Sequence, residues 1–287
     1  MSFVLDRPAK RPLIIAHRGY RACFPENTLL AFERSLGRCD MIELDVRLSA
    51  DGAVVILHDA LLDRTSDAPT VARAQGIRSL ALRDWTREQL QRLDAGSWFV
   101  RVDPFGALSS GLVRPEEVLP LLPQRIPTLD QVLAWSHDHA LPLNIELKDL
   151  GDDRDNRRLA EEVIARIHAT ESAPLVLLSS FNHPLLAHCH RRAPDLALAA
   201  LQEGQHPPAL LTHLRSLGVC AYHPEDAITD RPLVEMLHYA GIAVNVFTVN
   251  DRRRMRQLHD FGVTGIITDY PAPPSFWFFG RGHAVGP

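Results

Sequence analysis

Three short polar patterns carry the chemistry of this chain: His17-Arg18-Gly19, then Glu43-x-Asp45 with His58-Asp59, then Glu146-x-Lys148. Each lies inside or directly behind an apolar, β-branched run that reads as a buried strand. Side chains alternate faces along a strand, so Glu43 and Asp45 share one face, and so do Glu146 and Lys148. Charge in a strand interior is costly unless it is paired or bound to metal. Glu43, Asp45 and Glu146 are hard oxygen donors suited to one divalent cation, Mg²⁺ or Ca²⁺. The alternative is a buried ion-pair network with Arg18 and Lys148. Three acids against two bases leave a deficit that a cation would cure. Zinc fits poorly, because no Cys or His spacing accompanies the acids.

His17 and His58 each close a strand and are flanked by Arg18 and Asp59. Two imidazoles on either side of a phosphorus could act as general base and general acid. His137, His168 and His259 fall on helical stretches and read as surface residues. Arg18 and Lys148 suit phosphate oxygens. Of the 31 basic residues only Lys10 and Lys148 are lysines. A compact ammonium retained in a strand interior points to a pocket too narrow for a planar guanidinium.

These groups need a scaffold that presents strand ends together. Apolar runs at 13–16, 41–46, 141–147, 175–179, 196–201, 219–222, 243–249 and 265–268 read as strands. Helical spacing fills the intervals at 28–38, 128–139, 154–170, 183–192, 207–217, 232–240 and 251–261. Eight such alternations predict a (β/α)₈ TIM barrel. Asp51-Gly52 is a hairpin turn leading into 53–57, so the second strand doubles back. Residues 60–125 hold no βα unit, only short helical patches at 86–93 and 115–122. They read as a small inserted subdomain after the second strand, placed over the C-terminal face of the barrel.

Composition agrees with one enzyme-sized domain, residues 11–287, at 46% hydrophobic content. A formal net charge of −4 offers no basic field for nucleic acid or anionic membrane. No apolar run reaches membrane-spanning length, so stable membrane insertion is not expected. Residues 1–12 lack an apolar signal core, and Cys23, Cys39, Cys189 and Cys220 lack C-x-x-C spacing. A cytoplasmic location with reduced thiols follows as the expectation. The oligomeric state has no signature in the sequence.

The ordered set Ala16-His-Arg-Gly19, Pro25-Glu-Asn-Thr28, Ile42-Glu-Leu-Asp-Val46, Leu57-His-Asp59, Leu62-Asp-Arg-Thr65, Asn144-Ile-Glu-Leu-Lys148 and Thr268-Asp-Tyr-Pro271 resembles the glycerophosphodiester phosphodiesterase family. The resemblance spans about residues 13–271. It implies a TIM barrel that hydrolyses a small-molecule glycerophosphodiester to sn-glycerol 3-phosphate and an alcohol. It implies His17 and His58 as the acid–base pair, Glu43, Asp45 and Glu146 as metal ligands, and Arg18 and Lys148 at the phosphate. It further implies attack by the neighbouring glycerol hydroxyl, giving a cyclic phosphate that water opens. Phe181 and Phe247 would wall the substrate pocket, Phe247 standing where the family usually has Trp. The segment 100–125 is longer than in compact bacterial members. Two other readings are a phospholipase C- or D-like enzyme for lysophospholipids and a catalytically silent phosphodiester-binding module. The silent module predicts a lost imidazole or carboxylate, and none is lost. An aromatic stretch at 276–279 reads as a final segment packed on the barrel.

Overall fold

The computed structural model describes residues 11–272, so the aromatic stretch at 276–279 lies outside the described residues. Nine strands form one sheet: β1 (Leu13–His17), β2 (Met41–Leu48), β3 (Val54–Ile56), β4 (Leu143–Leu147), β5 (Val176–Ser180), β6 (Ala197–Gln202), β7 (Ala221–Pro224), β8 (Ala243–Val246) and β9 (Gly265–Thr268). Their order is β1-β9-β8-β7-β6-β5-β4-β2-β3, and a further β1–β2 pairing closes the ring. Eight parallel strands therefore make a barrel, as the alternation predicts. β3 stands outside it, antiparallel to β2 with Val46 opposite Ile56.

The helices between strands begin where short polar side chains can cap them. Thr128 and Gln131 form a reciprocal capping box ahead of Leu129–His139. Asp152, Asn182, Asp230 and Asp251 cap the helices that begin at Asp153, His183, Arg231 and Arg252. Each side-chain oxygen satisfies an amide the helix cannot use, worth about 1 kcal/mol. Ile14, Ala16, Ile42, Leu44 and Val46 face outward into the helix layer. The alternate residues Leu13, Ile15, Met41, Leu177, Ala199 and Ile267 fill the barrel interior. Burying such an aliphatic side chain stabilises by roughly 1.5–3 kcal/mol. Gly265 is needed in this interior, since a Cβ there would come within 2.5 Å of Asn245 Oδ1.

Several elements differ from the sequence expectation. The helix expected at 28–38 covers only Leu29–Glu33. Ser35 donates its hydroxyl to the Ala31 carbonyl, the acceptor its own amide would have used, and that amide turns to Phe32 instead. The patch at 115–122 divides into Pro115–Val118 and a 3₁₀ turn, Leu119–Leu121. Pro120, which lacks an N–H, cannot continue an α-helix. Within 60–125 there are also helices Ala68–Gln75 and Ser97–Val102, too short to show a period. Their side chains feed two small clusters, one around Leu62, Trp85 and Leu90, the other around Phe24, Trp98 and Phe99.

Candidate active site

The polar patterns converge at the C-terminal ends of the strands. β1 ends in His17 and turns sharply through Arg18 and Gly19, both left-handed at φ 55° and 80°. A Cβ on Gly19 would meet the Ala31 backbone at 2.8 Å, so only glycine fits. The turn aims the Arg18 amide at Glu43 Oε2, 3.0 Å away. The Arg18 guanidinium lies 2.9 Å from Glu26 and 3.2 Å from Asp45 Oδ2. Asn27, also left-handed, donates its side-chain amide to the same Asp45 oxygen at 2.8 Å.

Register sets the acids side by side. His17 pairs with Glu43 across β1–β2, and Asp45 with Glu146 across β2–β4. One oxygen from each of Glu43, Asp45 and Glu146 lies within 4.8 Å of the others, and all three residues are buried. Lys148 Nζ lies 2.6 Å from Glu146 and 3.5 Å from Asp45 Oδ1. Burial, then the charges of Asp45 and Glu146, push Glu43 well above the usual carboxylate range. Burial and Asp45 push Glu146 the same way against Lys148. Asp45 itself is held low: burial opposes this, but Arg18 and Lys148 prevail. Asp45 Oδ1 is buried and accepts no hydrogen bond. Hard oxygens that crowd one another, one of them buried with no hydrogen bond and only the Lys148 charge 3.5 Å away, fit a divalent cation.

The hairpin brings His58 to the same place. Leu57 donates its amide to the Asp45 carbonyl, and Arg47 Nε holds the His58 carbonyl at 2.8 Å. His17, Arg18, Glu43, His58, Glu146 and Lys148 line one cavity of about 390 Å³, and Phe181 and Phe247 line it too. The two phenyl rings meet edge to face, 5.7 Å between centroids. Asp45, fully buried, adjoins the cavity through Glu43 and Glu146 rather than lining it.

Both histidines have carboxylate partners to which the sequence reading gave no role. His17 Nδ1 lies 2.7 Å from Asp269 Oδ1, and Asn250 donates to Asp269 Oδ2 at 2.7 Å. His58 Nδ1 lies 2.7 Å from Asp59 Oδ1, and Arg64 donates to the other oxygen. Burial lowers the His17 pKa, and the charges of Arg18 and Arg21 add to this against Asp269. Asp269 is held at about 2: burial opposes, but the His17 hydrogen bond and Arg21 prevail. Glu26, Asn27 and Arg64 stand in the motifs Pro25-Glu-Asn-Thr28 and Leu62-Asp-Arg-Thr65, but the sequence assigns no role to them or to Arg21. A signal existed for Asp269, which directly follows β9 and stands in the motif Thr268-Asp-Tyr-Pro271.

Known proteins carry the same arrangement of chain. The model of the glycerophosphoryl diester phosphodiesterase family matches residues 17–272. A glycerophosphodiester phosphodiesterase of Bacillus altitudinis is 34% identical over 262 residues, 90% of this chain and 94% of that one. One from Bacillus subtilis is 30% identical over 269 residues, 91% of this chain and 84% of that one. The crystal structure of an Oleispira antarctica phosphodiesterase in complex with the product sn-glycerol-3-phosphate superposes with a TM-score of 0.71. It is 28% identical and covers 91% of this chain and 94% of its own. Among the described residues no helix is long and apolar enough to cross a membrane.

Proposed function

The chain belongs to the glycerophosphoryl diester phosphodiesterase family, and we propose that it hydrolyses glycerophosphodiesters to sn-glycerol 3-phosphate and an alcohol by metal-assisted, two-histidine catalysis. The observation that carries this is the meeting, in one cavity, of two carboxylate-backed imidazoles and a cluster of three carboxylates with Arg18 and Lys148. Glu43, Asp45 and Glu146 would hold one Mg²⁺ or Ca²⁺. Such an ion would supply charge stabilisation for the phosphoryl oxygens.

His17 and His58 divide the proton transfers. With Asp269 ionised, the His17 proton sits on Nδ1, which leaves Nε2 to accept one from the glycerol hydroxyl next to the phosphate ester. As that oxygen bonds to phosphorus, the bond from phosphorus to the leaving alcohol's oxygen breaks, and His58 gives its proton to the departing alcohol oxygen. Water then opens the cyclic phosphate with the two roles exchanged, and both histidines return to their starting states. Arg18 and Lys148, already ion-paired with the carboxylates, stand where phosphate oxygens would add to the network. Residues 60–125 form, on this reading, a wall over the C-terminal mouth within one domain of residues 11–287. The Arg64 contacts to Glu26 and to the Trp98 ring support that position.

The test is release of sn-glycerol 3-phosphate from glycerophosphocholine and glycerophosphoglycerol after dialysis against EDTA, then with Mg²⁺ or Ca²⁺ added back. Loss of turnover with chelator and recovery with one of the ions is expected. Full activity after exhaustive chelation would remove the metal from the mechanism.

A further inference from the structure

The cavity has two electrical sides. On the β1, β2 and β4 side stand the histidines, Arg18, Lys148 and the carboxylate cluster. On the side built by β5 to β9 the lining is Phe181, Leu201, Glu203, Phe247, Thr248 and Ile267, with no lysine or arginine. Glu203, directly after β6, is exposed and has no ion-pair partner among the described residues. Its backbone carbonyl accepts from Gln202 and Gln205, but its carboxylate accepts no hydrogen bond there. Glu225 neighbours it: its carboxylate takes only the Gly204 amide, and its backbone bridges to Phe247.

A cavity wall with two aromatic rings and an unpaired carboxylate suits an organic cation. Ammonium groups bind ring faces electrostatically, and a nearby carboxylate adds the opposite charge. With the phosphate at Arg18 and Lys148, one arm of the diester must extend past this wall, and the proposal assigns that arm to the leaving alcohol. We propose that Glu203 selects the leaving group, favouring cationic amino alcohols such as choline or ethanolamine over neutral polyols, with Phe181 and Phe247 as the ring surface. The proposal rests on the phosphodiesterase reading above and adds to it the charge of the alcohol. The plainer alternative is that Glu203 is a solvated rim acid and the rings only exclude water.

The test compares kcat and KM for glycerophosphocholine and glycerophosphoglycerol, at low and high ionic strength, in the wild type and in Glu203→Gln. The wild type should prefer the choline ester in kcat/KM, and salt should weaken that preference. Glu203→Gln should cost the choline ester about fivefold, the upper end for an exposed charge pair, through KM rather than kcat. The glycerol ester should stay within about twofold, and the salt dependence of the preference should flatten. Phe181→Leu should reduce the choline ester more than the glycerol ester by a similar factor. Equal losses on both esters, or a wild type indifferent to the head group, would overturn the selection. A wild type that hydrolyses neither ester, with metal supplied, would instead overturn the reading on which it rests.

Discussion

The two histidines are built alike and housed differently. Each has Nδ1 2.7 Å from a carboxylate, and each carboxylate is held by an arginine. His17 ends a barrel strand, and its partner Asp269 follows another; Asn250, in the segment after β8, holds that partner's side chain and amide. His58 follows the short outer strand β3, and its partner is the next residue in the chain. The His17 side chain is 15% exposed and that of His58 31%. Glu26 joins the two. It binds Arg21, which reaches Asp269, and Arg64, which reaches Asp59. One imidazole is therefore fixed by the scaffold and the other by a local loop, with a single buried carboxylate between their supports. On the proposed mechanism, the scaffold-held ring and the loop-held ring take different halves of one proton exchange.

The widest break in this comparison is removal of each ring. His17→Ala and His58→Ala should each lower turnover by about 10²-fold or more, the scale of a general acid or base. Near wild-type turnover in either variant would remove that residue from the chemistry. Next come the supports. Asp269→Asn should cost about 10²-fold in kcat, because a buried amide can hold the wrong tautomer. Asp59→Asn should cost about tenfold, since water reaches His58 and can replace part of the support. Equal losses would show that burial does not separate the two sites. Both variants should keep KM close to wild type, which steady-state kinetics checks.

Lys148 lines the same cavity as the two imidazoles and is ion-paired with Glu146 and Asp45. Lys148→Arg should lose about tenfold in kcat/KM despite its retained charge, because the planar fork needs more room beside Glu146. Lys148→Met should lose more. If arginine restores most activity, Lys148 only neutralises its neighbours and has no shape-specific role.

The smallest effect concerns the shared support. The Glu26 pKa is lowered from 4.5 to about 2: burial opposes, and the hydrogen bond from Arg64 with the charges of Arg18 and Arg21 prevails. A carboxyl depressed in the folded state stabilises fully above its unfolded pKa, and that contribution is lost as pH falls through the folded value. Urea midpoints should therefore drop between about pH 4.5 and pH 2 in the wild type, and less steeply in Glu26→Gln. An identical acid slope in the variant would show that other carboxylates govern it.

The barrel was legible from the sequence because eight apolar runs alternate with helical spacing and carry capping residues at the helix starts. The clustering of three acids was legible for a related reason: Glu43, Asp45 and Glu146 are charged positions inside runs that otherwise bury everything. Asp269 and Glu26 were less visible. Asp269 lies just past its strand, where a polar residue is ordinary, and its meaning comes from a contact with His17 that no local pattern encodes. Glu26 lies in a loop and acquires its role from three arginines spread over residues 18 to 64. The short helices of 60–125 escaped because one or two turns do not establish a period.

The pairing of His17 with Asp269 also bears on biosynthesis. The two residues are 252 positions apart, near opposite ends of the barrel sequence. A nascent chain that has not yet completed β9 already carries both imidazoles, the clustered acids Glu43, Asp45 and Glu146, and the cations Arg18 and Lys148. It lacks Asp269, the carboxylate beside His17, and Ile267 of the cavity lining. Long-range pairing of this kind forms late, after loop closure has been met. Hydrolytic competence should thus arrive with ring closure and not before, so a growing or truncated chain would be inert toward the phosphodiesters around it. Two fragments divided between β8 and β9 would each be silent, and their recombination could be followed directly as the return of turnover.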